Sequence, residues 1–179
     1  SEVANALPSN AMVVDDSISH RAAMRHYFHG ERRGDIVAVR GGSIGGGIGA
    51  TMGIQCANPH RPVLGIIGDG SAMMTIQGLW TAANDNIPCI FVICNNGMYR
   101  VLKVNFDVYQ REVLGETEPA GSNLPYSDFP TPFDIAAIAN SMGVHGERIV
   151  EPSEIAPAVE RAVTSGKPAL LDIVIDGSL

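Results

Sequence analysis

The stretch VLGIIGDGSAMMTIQGLWTAANDNIPCIFVICNNGMYRVLK, residues 63–103, decides the fold. It holds two apolar runs, 63–67 and 88–94, and each run ends in a polar turn that contains glycine. The first turn is GDGS at 68–71 and the second is NNG at 95–97. Short apolar runs rich in Ile and Val predict buried strands, and the amphipathic segment 73–84 between them predicts a helix.

The same alternation continues on both sides of this stretch. Further strands are predicted at 11–15, 36–39, 144–150 and 169–175. Helices are predicted at 19–28, 98–104, 133–142 and 153–165, and through the small residues that follow the glycine cluster 41–49 up to residue 57. A long loop is predicted at 106–132. Strands that alternate with helices indicate a three-layer α/β/α fold around a mostly parallel six-stranded sheet, in one domain covering 1–179.

Two side-chain placements follow from the helical patterns. Ser17 or Ser19 is expected to cap the helix at 19–28, because a hydroxyl can accept a bond from the first helical amides. Trp80 stands at helical spacing from Ile76 and Ala83 and is expected to pack in the core.

Composition excludes several classes of function. The 179 residues carry 12 basic and 19 acidic side chains, a net charge of −7, so we expect no nucleic-acid binding. No apolar run reaches 18 residues and no secretion signal is visible, which predicts a cytoplasmic protein without a membrane span. Cys89 and Cys94 lie in an apolar run and are expected to be buried free thiols. The chain begins at Ser1, so a cut or processed piece is expected.

The two turns after the central strands are the strongest candidates for chemistry. Asp69 and Asn96 lie 27 residues apart, an interval that fits one helix and one strand. Both side chains then return to the same sheet edge, where ligands of such sheets bind. Carboxylate and amide oxygens are ligands that Mg²⁺ prefers. Each turn alone is also compatible with an ordinary Asp- or Asn-containing turn.

The glycine cluster GGSIGGGIGA, residues 41–50, supports a competing hypothesis. Gly45, Gly47 and Ala50 match the G-x-G-x-x-A pattern of dinucleotide-binding units, and Asp69 follows at a distance suited to a ribose contact. A third interpretation is that the small residues from Gly45 to Gly53 let a helix approach the sheet closely.

The residues from 66 to 103 resemble a known family. GDG at 68–70 followed by NN at 95–96 is similar to the motif of thiamine diphosphate-dependent enzymes. The surrounding sequence resembles the diphosphate-binding domain of the benzoylformate decarboxylase and acetolactate synthase group. The resemblance extends over essentially the whole chain and implies thiamine diphosphate and Mg²⁺ as cofactors.

This resemblance assigns roles to individual positions. It implies that Mg²⁺ is held by the side chains of Asp69 and Asn96 and the backbone carbonyl of Met98. The expected contacts to the diphosphate come from Ser19, Gly70, Ser71 and the Tyr99 amide. The expected contacts to the rest of the cofactor come from Gly42, Ser43 and Ile44. Within this set the carbonyl of Gly42 is expected to accept from the aminopyrimidine, and Ile44 to force the bent cofactor conformation.

The resemblance also implies a missing part. In the family a second domain binds the aminopyrimidine and carries the catalytic glutamate, so this chain is expected to be half of an active site, inactive alone. The implied partners are a 2-oxo acid substrate and a pyrimidine-binding domain or subunit, in a homo-oligomer. A 2-oxo acid decarboxylase is favoured over an acetolactate-type carboligase. A dinucleotide-binding oxidoreductase domain and a non-catalytic interaction module remain as alternatives.

Overall fold

Six parallel strands form the centre of the molecule. The computed structural model describes residues 1–30, 32–39, 43–117 and 123–178. The strands are β1 (Met12–Asp16), β2 (Ile36–Ala38), β3 (Val63–Gly68), β4 (Ile90–Asn95), β5 (His145–Ile149) and β6 (Ala169–Val174), in the order β2-β1-β3-β4-β6-β5. Every neighbouring pair is parallel. The predicted six-stranded α/β fold is therefore confirmed.

Helices connect the strands. Those in the described residues are α1 (Glu2–Ala6), α2 (Arg21–Tyr27), α3 (Gly47–Ala57), α4 (Asp69–Met74), α5 (Gly78–Asn84), α6 (Arg100–Glu112), α7 (Ile135–Ser141) and α8 (Ile155–Ser165). Two 3₁₀ turns, Ile18–His20 and Pro152–Glu154, precede α2 and α8. No helix within the described ranges combines the length and hydropathy needed to cross a bilayer.

The central strands are apolar throughout because both faces of the sheet are covered. Alternate residues of β4 show this directly. Ile90 and Val92 pack with α8 in one core cluster, whereas Phe91 and Ile93 pack with α5 and α7 in another. The side chains of Phe91, Ile90 and Ile93 are at most 2% exposed. The sheet is thus a rigid platform between two hydrophobic layers.

The strand order changes direction at β1, and this fixes where a ligand can bind. The chain passes from β1 outward to β2 and then returns across β1 to β3. Consecutive connections therefore leave on opposite sides of the sheet, which opens a crevice beyond the carboxyl ends of β1 and β3. Asp16 pairs with Ile67 at that end, and Gly68 pairs with Cys94 of β4.

The helix predicted at 73–84 is two helices in the structure. α4 ends at Met74. The hydroxyl of its C-cap residue, Thr75, donates to the carbonyl of Gly45 at 2.8 Å, and α5 begins only at Gly78. A tertiary hydrogen bond thus interrupts the helix. The predicted capping bond is not formed. Ser17 is the N-cap of the 3₁₀ turn Ile18–His20 and His20 is the N-cap of α2, neither through its side chain, and the Ser17 hydroxyl donates instead to Asp15.

The helix predicted at 98–104 is longer than expected. α6 runs from Arg100 to Glu112, so the first part of the predicted loop 106–132 is helical. The helix was underestimated because it buries the polar residues Lys103 and Gln110. Three of its apolar side chains are exposed instead: Leu102, Val108 and Tyr109.

Trp80, Cys89 and Cys94 were all expected to be buried, and their exposure in the structure differs. Trp80 is 60% exposed, because α5 turns Leu79 and Ala82 toward the core instead, so its predicted core position is wrong. Cys89 is buried and Cys94 half-buried. Burial raises the pKa of each of these two thiols to about 12.

The glycines of α3 differ in what surrounds them. A Cβ on Gly47 would lie 2.9 Å from the Ile67 side chain, so close packing of the helix on the sheet requires this glycine. A Cβ on Gly49 or Gly53 would meet nothing within 4 Å. The helix-packing interpretation therefore holds at Gly47 but not at the two later positions.

These contacts predict opposite effects for two Gly-to-Ala substitutions. Gly65→Ala should lower the free energy of unfolding by about 1–3 kcal/mol, because its Cβ would overlap the buried Thr51 hydroxyl beside β3. Gly49→Ala, the matched control, should raise it by up to about 1 kcal/mol through helix propensity. Urea denaturation of both variants checks this, and equal effects of the same sign would contradict it.

Candidate functional site

A cleft lies beyond the carboxyl ends of β1, β3 and β4. Most of the side chains predicted for the site line it. They are Ser19, Ile44, Asp69, Gly70, Ser71, Asn96, Met98 and Tyr99. Gly42 lies outside the described residues. Ser43 is exposed and is not among the residues that line the cleft.

The Asp69 carboxylate joins the two polar turns. Its Oδ1 accepts the Gly70 amide at 2.8 Å, and its Oδ2 accepts the Gly97 amide at 2.7 Å. Asp69 is only 3% exposed. Burial raises the pKa of its carboxyl above the ordinary 3.8, and the nearby N–H groups of Gly70, Gly97 and Asn96 act in the opposite direction. The two amide donors thus offset part of the cost of burying this carboxylate.

The second turn brings Asn96 and Met98 to the same place. The Asn96 Oδ1 accepts the Met98 amide at 3.1 Å. Gly97 between them has φ +68°, a conformation that side chains rarely adopt and glycine adopts freely. The predicted convergence of the two turns is what the structure shows.

Asn95 points away from the cleft and fixes the end of β4. Its Nδ2 donates to the Asp172 carboxylate at 2.9 Å and to the Phe133 carbonyl at 3.2 Å. Asp172 is fully buried and also accepts from the Ile135 amide and from Arg148. The first asparagine of the pair is therefore structural and the second faces the cleft.

Two acidic residues at the end of β1 belong to the site, although the sequence pattern indicated only Asp15, as the end of the predicted strand 11–15, and gave neither residue a role. Asp15 accepts the Ser17 amide and hydroxyl through Oδ1 and Arg21 through Oδ2, which holds the loop that carries Ser19. Asp16 accepts the Ser71 hydroxyl and the Gly47 amide. Two consecutive aspartates at the carboxyl end of an apolar strand were the available signal.

The loop after β1 is strained beside the cleft. Ile18 has φ +50°, which is unusual for a β-branched residue and costs roughly 1–3 kcal/mol. His20 follows, and burial lowers its pKa, with Arg100 acting in the same direction. The buried His20 Nδ1 has no hydrogen-bond partner in the described part of the chain.

A segment after the undescribed residues 118–122 lies over the turn at Gly70. The Tyr99 amide donates to the Ser127 carbonyl at 2.7 Å, and the Phe129 amide donates to Gly97 at 2.8 Å. Tyr99 and Phe129 pack edge to face, 4.8 Å between ring centres. The Tyr99 amide, predicted to contact a diphosphate, is thus already hydrogen-bonded within the protein.

The oxygens in the cleft suit a hard divalent cation. Asp69 and Asn96 supply a carboxylate and an amide oxygen from adjacent turns, and both belong to the ligand types that Mg²⁺ prefers. No cluster of three or more His, Cys, Asp or Glu residues that could hold a metal occurs in the residues described. The remaining ligands of such a cation would therefore come from a bound anion, water or backbone carbonyls.

Comparison with known proteins identifies this architecture. Residues 17–173 match the family described as the thiamine pyrophosphate enzyme, C-terminal TPP binding domain. The chain belongs to this family. The dinucleotide-binding alternative is set aside accordingly, since the glycine turn that suggested it is closed by bonds to Asp16, Ser71 and Thr75.

Relatives of this thiamine pyrophosphate-binding domain fall in two enzyme groups. IlvX of Mycobacterium tuberculosis, a candidate acetolactate synthase large subunit, is 38% identical over 170 residues, which cover 94% of this chain and 32% of the relative. Benzoylformate decarboxylase of Pseudomonas aeruginosa is 32% identical, over 93% of this chain and 29% of the enzyme.

Solved structures agree with this grouping. The 4-hydroxybenzoylformate decarboxylase of Rhodococcus jostii superposes with a TM-score of 0.83 at 30% identity, covering 98% of this chain and 31% of that one. The chain thus spans about a third of the length of the relatives that it matches. The relatives are thiamine diphosphate-dependent enzymes, and this chain corresponds to their C-terminal domain.

The raised pKa of Asp69 predicts how stability depends on pH. The folded chain binds the Asp69 proton more tightly than the unfolded chain, so this group adds stability as the pH falls through its raised pKa toward 3.8. As the pH falls, the unsubstituted chain should therefore gain unfolding free energy relative to Asp69→Ala, by at most about 1.4 kcal/mol per pH unit.

Denaturant titrations of both proteins from pH 7 to pH 4, without added metal, measure this shift. Taking the difference between the two proteins removes the contributions of all other titrating groups. A shift in the opposite direction would show that the carboxyl has a lowered pKa and would contradict the assignment.

Proposed function

We propose that this domain binds the diphosphate and Mg²⁺ of thiamine diphosphate and forms half of the active site of a 2-oxo acid decarboxylase. The observation that carries the proposal is the Asp69 carboxylate, which accepts amides from both turns and stands beside Asn96 at the mouth of the cleft. Family membership supplies the cofactor, and the geometry supplies the place where its charged end would bind.

The residues in the cleft would bind two ligands, the Mg²⁺ cation and the anionic diphosphate. Asp69, Asn96 and the carbonyl of Met98 would hold Mg²⁺. Ser19 and the backbone amide of Ser71 would face the diphosphate, and the Gly70 amide would do so only if its bond to Asp69 is exchanged. The Ser71 hydroxyl cannot donate to it without giving up its bond to Asp16. The Tyr99 amide would reach the diphosphate only if its bond to Ser127 is exchanged.

Ile44 stands at the open side of this cleft. Its side chain is 39% exposed, an unusual exposure for a large apolar residue beside a polar site. We infer that the body of the cofactor covers it, with Gly42 and Ser43 alongside. Thiamine diphosphate supplies the electron sink for cleavage beside a 2-oxo group. The domain's own part is to bind and orient the cofactor.

The relatives support two reactions of a 2-oxo acid. Similarity to benzoylformate and 4-hydroxybenzoylformate decarboxylases supports decarboxylation of an aryl 2-oxo acid. The 38% identity with the acetolactate synthase-like IlvX supports a carboligase as the second candidate. Phe129 adds an aromatic ring beside the cleft, because it packs on Tyr99.

The other half of the site would come from a pyrimidine-binding domain or subunit carrying the catalytic glutamate. The exposed apolar side chains of Ile44, which lines the cleft, and of Leu102, in the first turn of α6, support such a neighbour, since exposed apolar patches mark interaction surfaces. A homo-oligomer in the cytoplasm fits this arrangement.

Titration with thiamine diphosphate tests the proposal. In isothermal titration calorimetry the chain should bind the cofactor only when Mg²⁺ is present, because the cation bridges Asp69 and the diphosphate. Asp69→Ala should weaken this binding by about a hundredfold or more, in keeping with the loss of a charged ligand. The chain alone should release no CO₂ from benzoylformate.

Asp35→Asn serves as the matched control. Asp35 is also buried and hydrogen-bonded, to Arg61 and the Arg32 amide, but it precedes β2 and so lies at the opposite edge of the sheet. This variant should keep the affinity of the unsubstituted chain. Metal-independent binding, tight binding of NADH instead, or rapid turnover by the isolated chain would each contradict the proposal.

A further inference from the structure

Asp16 is a buried carboxylate for which the proposed cofactor site has no direct use. It is fully buried at the carboxyl end of β1. One oxygen, Oδ2, accepts both the Ser71 hydroxyl and the Gly47 amide, the latter at 2.8 Å. The other oxygen, Oδ1, has no hydrogen-bond partner among the described residues. Asp16 therefore binds two neighbouring turns through a single oxygen.

The Ser71 hydroxyl completes the link between those turns. It donates to Asp16 and accepts the Gly45 amide at 2.8 Å. Thr75, the residue after α4, donates to the Gly45 carbonyl at 2.8 Å. Gly45 is thus held at both its N–H and its C=O by residues of the GDGS turn and the helix that follows it.

The packing leaves no room for the two turns to slide. Gly45 has φ +95°, and a Cβ there would lie 2.7 Å from the Met74 Cβ. A Cβ on Gly47 would lie 2.8 Å from the Asp16 Cβ. Hydrogen bonds and close contacts therefore fix the turn at 43–47, which carries Ile44, against the turn that carries Asp69.

A comparison with Asp172 shows that burial alone does not explain Asp16. Asp172 is equally buried, but both its oxygens are hydrogen-bonded and Arg148 balances its charge. Asp16 has one oxygen unpartnered and no ion pair within the described ranges. An unsatisfied buried oxygen costs stability, so a purely structural role would favour a neutral side chain here.

We propose that Asp16 is a positioning residue that, through Ser71, sets the distance between Asp69 and Ile44, so that both ends of the cofactor are bound at once. This role rests on the proposed function, since Asp69 would hold the diphosphate end and Ile44 would contact the body of the cofactor. Asp16 itself touches neither metal nor cofactor.

Two ligands of different length separate this role from a general loss of stability. Mg²⁺ with inorganic pyrophosphate contacts only the Asp69 side, whereas Mg²⁺ with thiamine diphosphate also reaches Ile44. In Asp16→Asn the amide oxygen can replace Oδ2 and the NH₂ group takes the place of the unpartnered Oδ1, so the shape is kept while both bonds weaken.

Calorimetric titration of Asp16→Asn should show about a tenfold loss of affinity for Mg²⁺–thiamine diphosphate and less than about a threefold loss for Mg²⁺–pyrophosphate. Asp35→Asn should lose affinity for neither ligand. Equal losses for both ligands, or no loss for either, would overturn the positioning role. Failure of the unsubstituted chain to bind either ligand would overturn the proposed function itself and this role with it.

Amide hydrogen exchange in the unsubstituted chain gives a second readout that needs no variant. Binding of Mg²⁺–pyrophosphate should slow exchange at Gly45 and Gly47 several-fold, although this ligand does not reach their turn, because the link through Ser71 and Asp16 transmits the ordering. Slower exchange at Gly70 and Gly97 with no change at Gly45 and Gly47 would overturn the coupling.

Discussion

One buried carboxylate holds the two turns of the candidate site together. Asp69 accepts one amide from its own turn and one from the turn after the neighbouring strand. This is feasible because β3 and β4 are adjacent and parallel, so that their carboxyl ends meet at one edge. The hydrophobic layers on both faces of the sheet keep the strands in register, and the site inherits their rigidity.

Supporting bonds extend this arrangement outward from Asp69. Asp15 fixes the strained loop that carries Ser19, and Asn95 ties the end of β4 to the buried Asp172. Asp16 and Ser71 connect the turn of Ile44 to the turn of Asp69. Three buried aspartates that do not line the cleft therefore determine where the residues facing the cleft stand. The domain thus presents a prearranged polar cleft with an apolar border at Ile44.

Much of the fold and the pairing of Asp69 with Asn96 could be predicted from sequence because the signals are local. Apolar runs such as 88–94 fit only strands covered on both faces, and the motif spacing brings both turns to one edge. What could not be predicted depends on tertiary contacts. The break after α4 arises from the bond between Thr75 and Gly45, 30 residues away. α6 was underestimated since its buried face carries Lys103 and Gln110, which reverses the usual pattern.

Asp16 shows the same limit within the site. In the sequence it directly follows the predicted strand 11–15, and nothing local indicates that its partners are Ser71 and Gly47, 55 and 31 residues further on. The exposure of Trp80 has a similar origin, since the side of α5 that meets the sheet is chosen by Leu79 and Ala82. Long-range pairing, rather than residue type, separates the residues that were found from those that were missed.

The central claim is that Asp69 and Asn96 jointly bind a divalent cation that in turn binds the diphosphate. Anomalous diffraction from a crystal of this chain grown with Mn²⁺ and thiamine diphosphate tests it most directly, because Mn²⁺ accepts the same oxygen ligands and scatters anomalously. The account predicts one strong peak within coordination distance of the Asp69 carboxylate and the Asn96 Oδ1, next to diphosphate density. A peak elsewhere, or diphosphate bound at the glycine turn 43–47 without the metal, would contradict it.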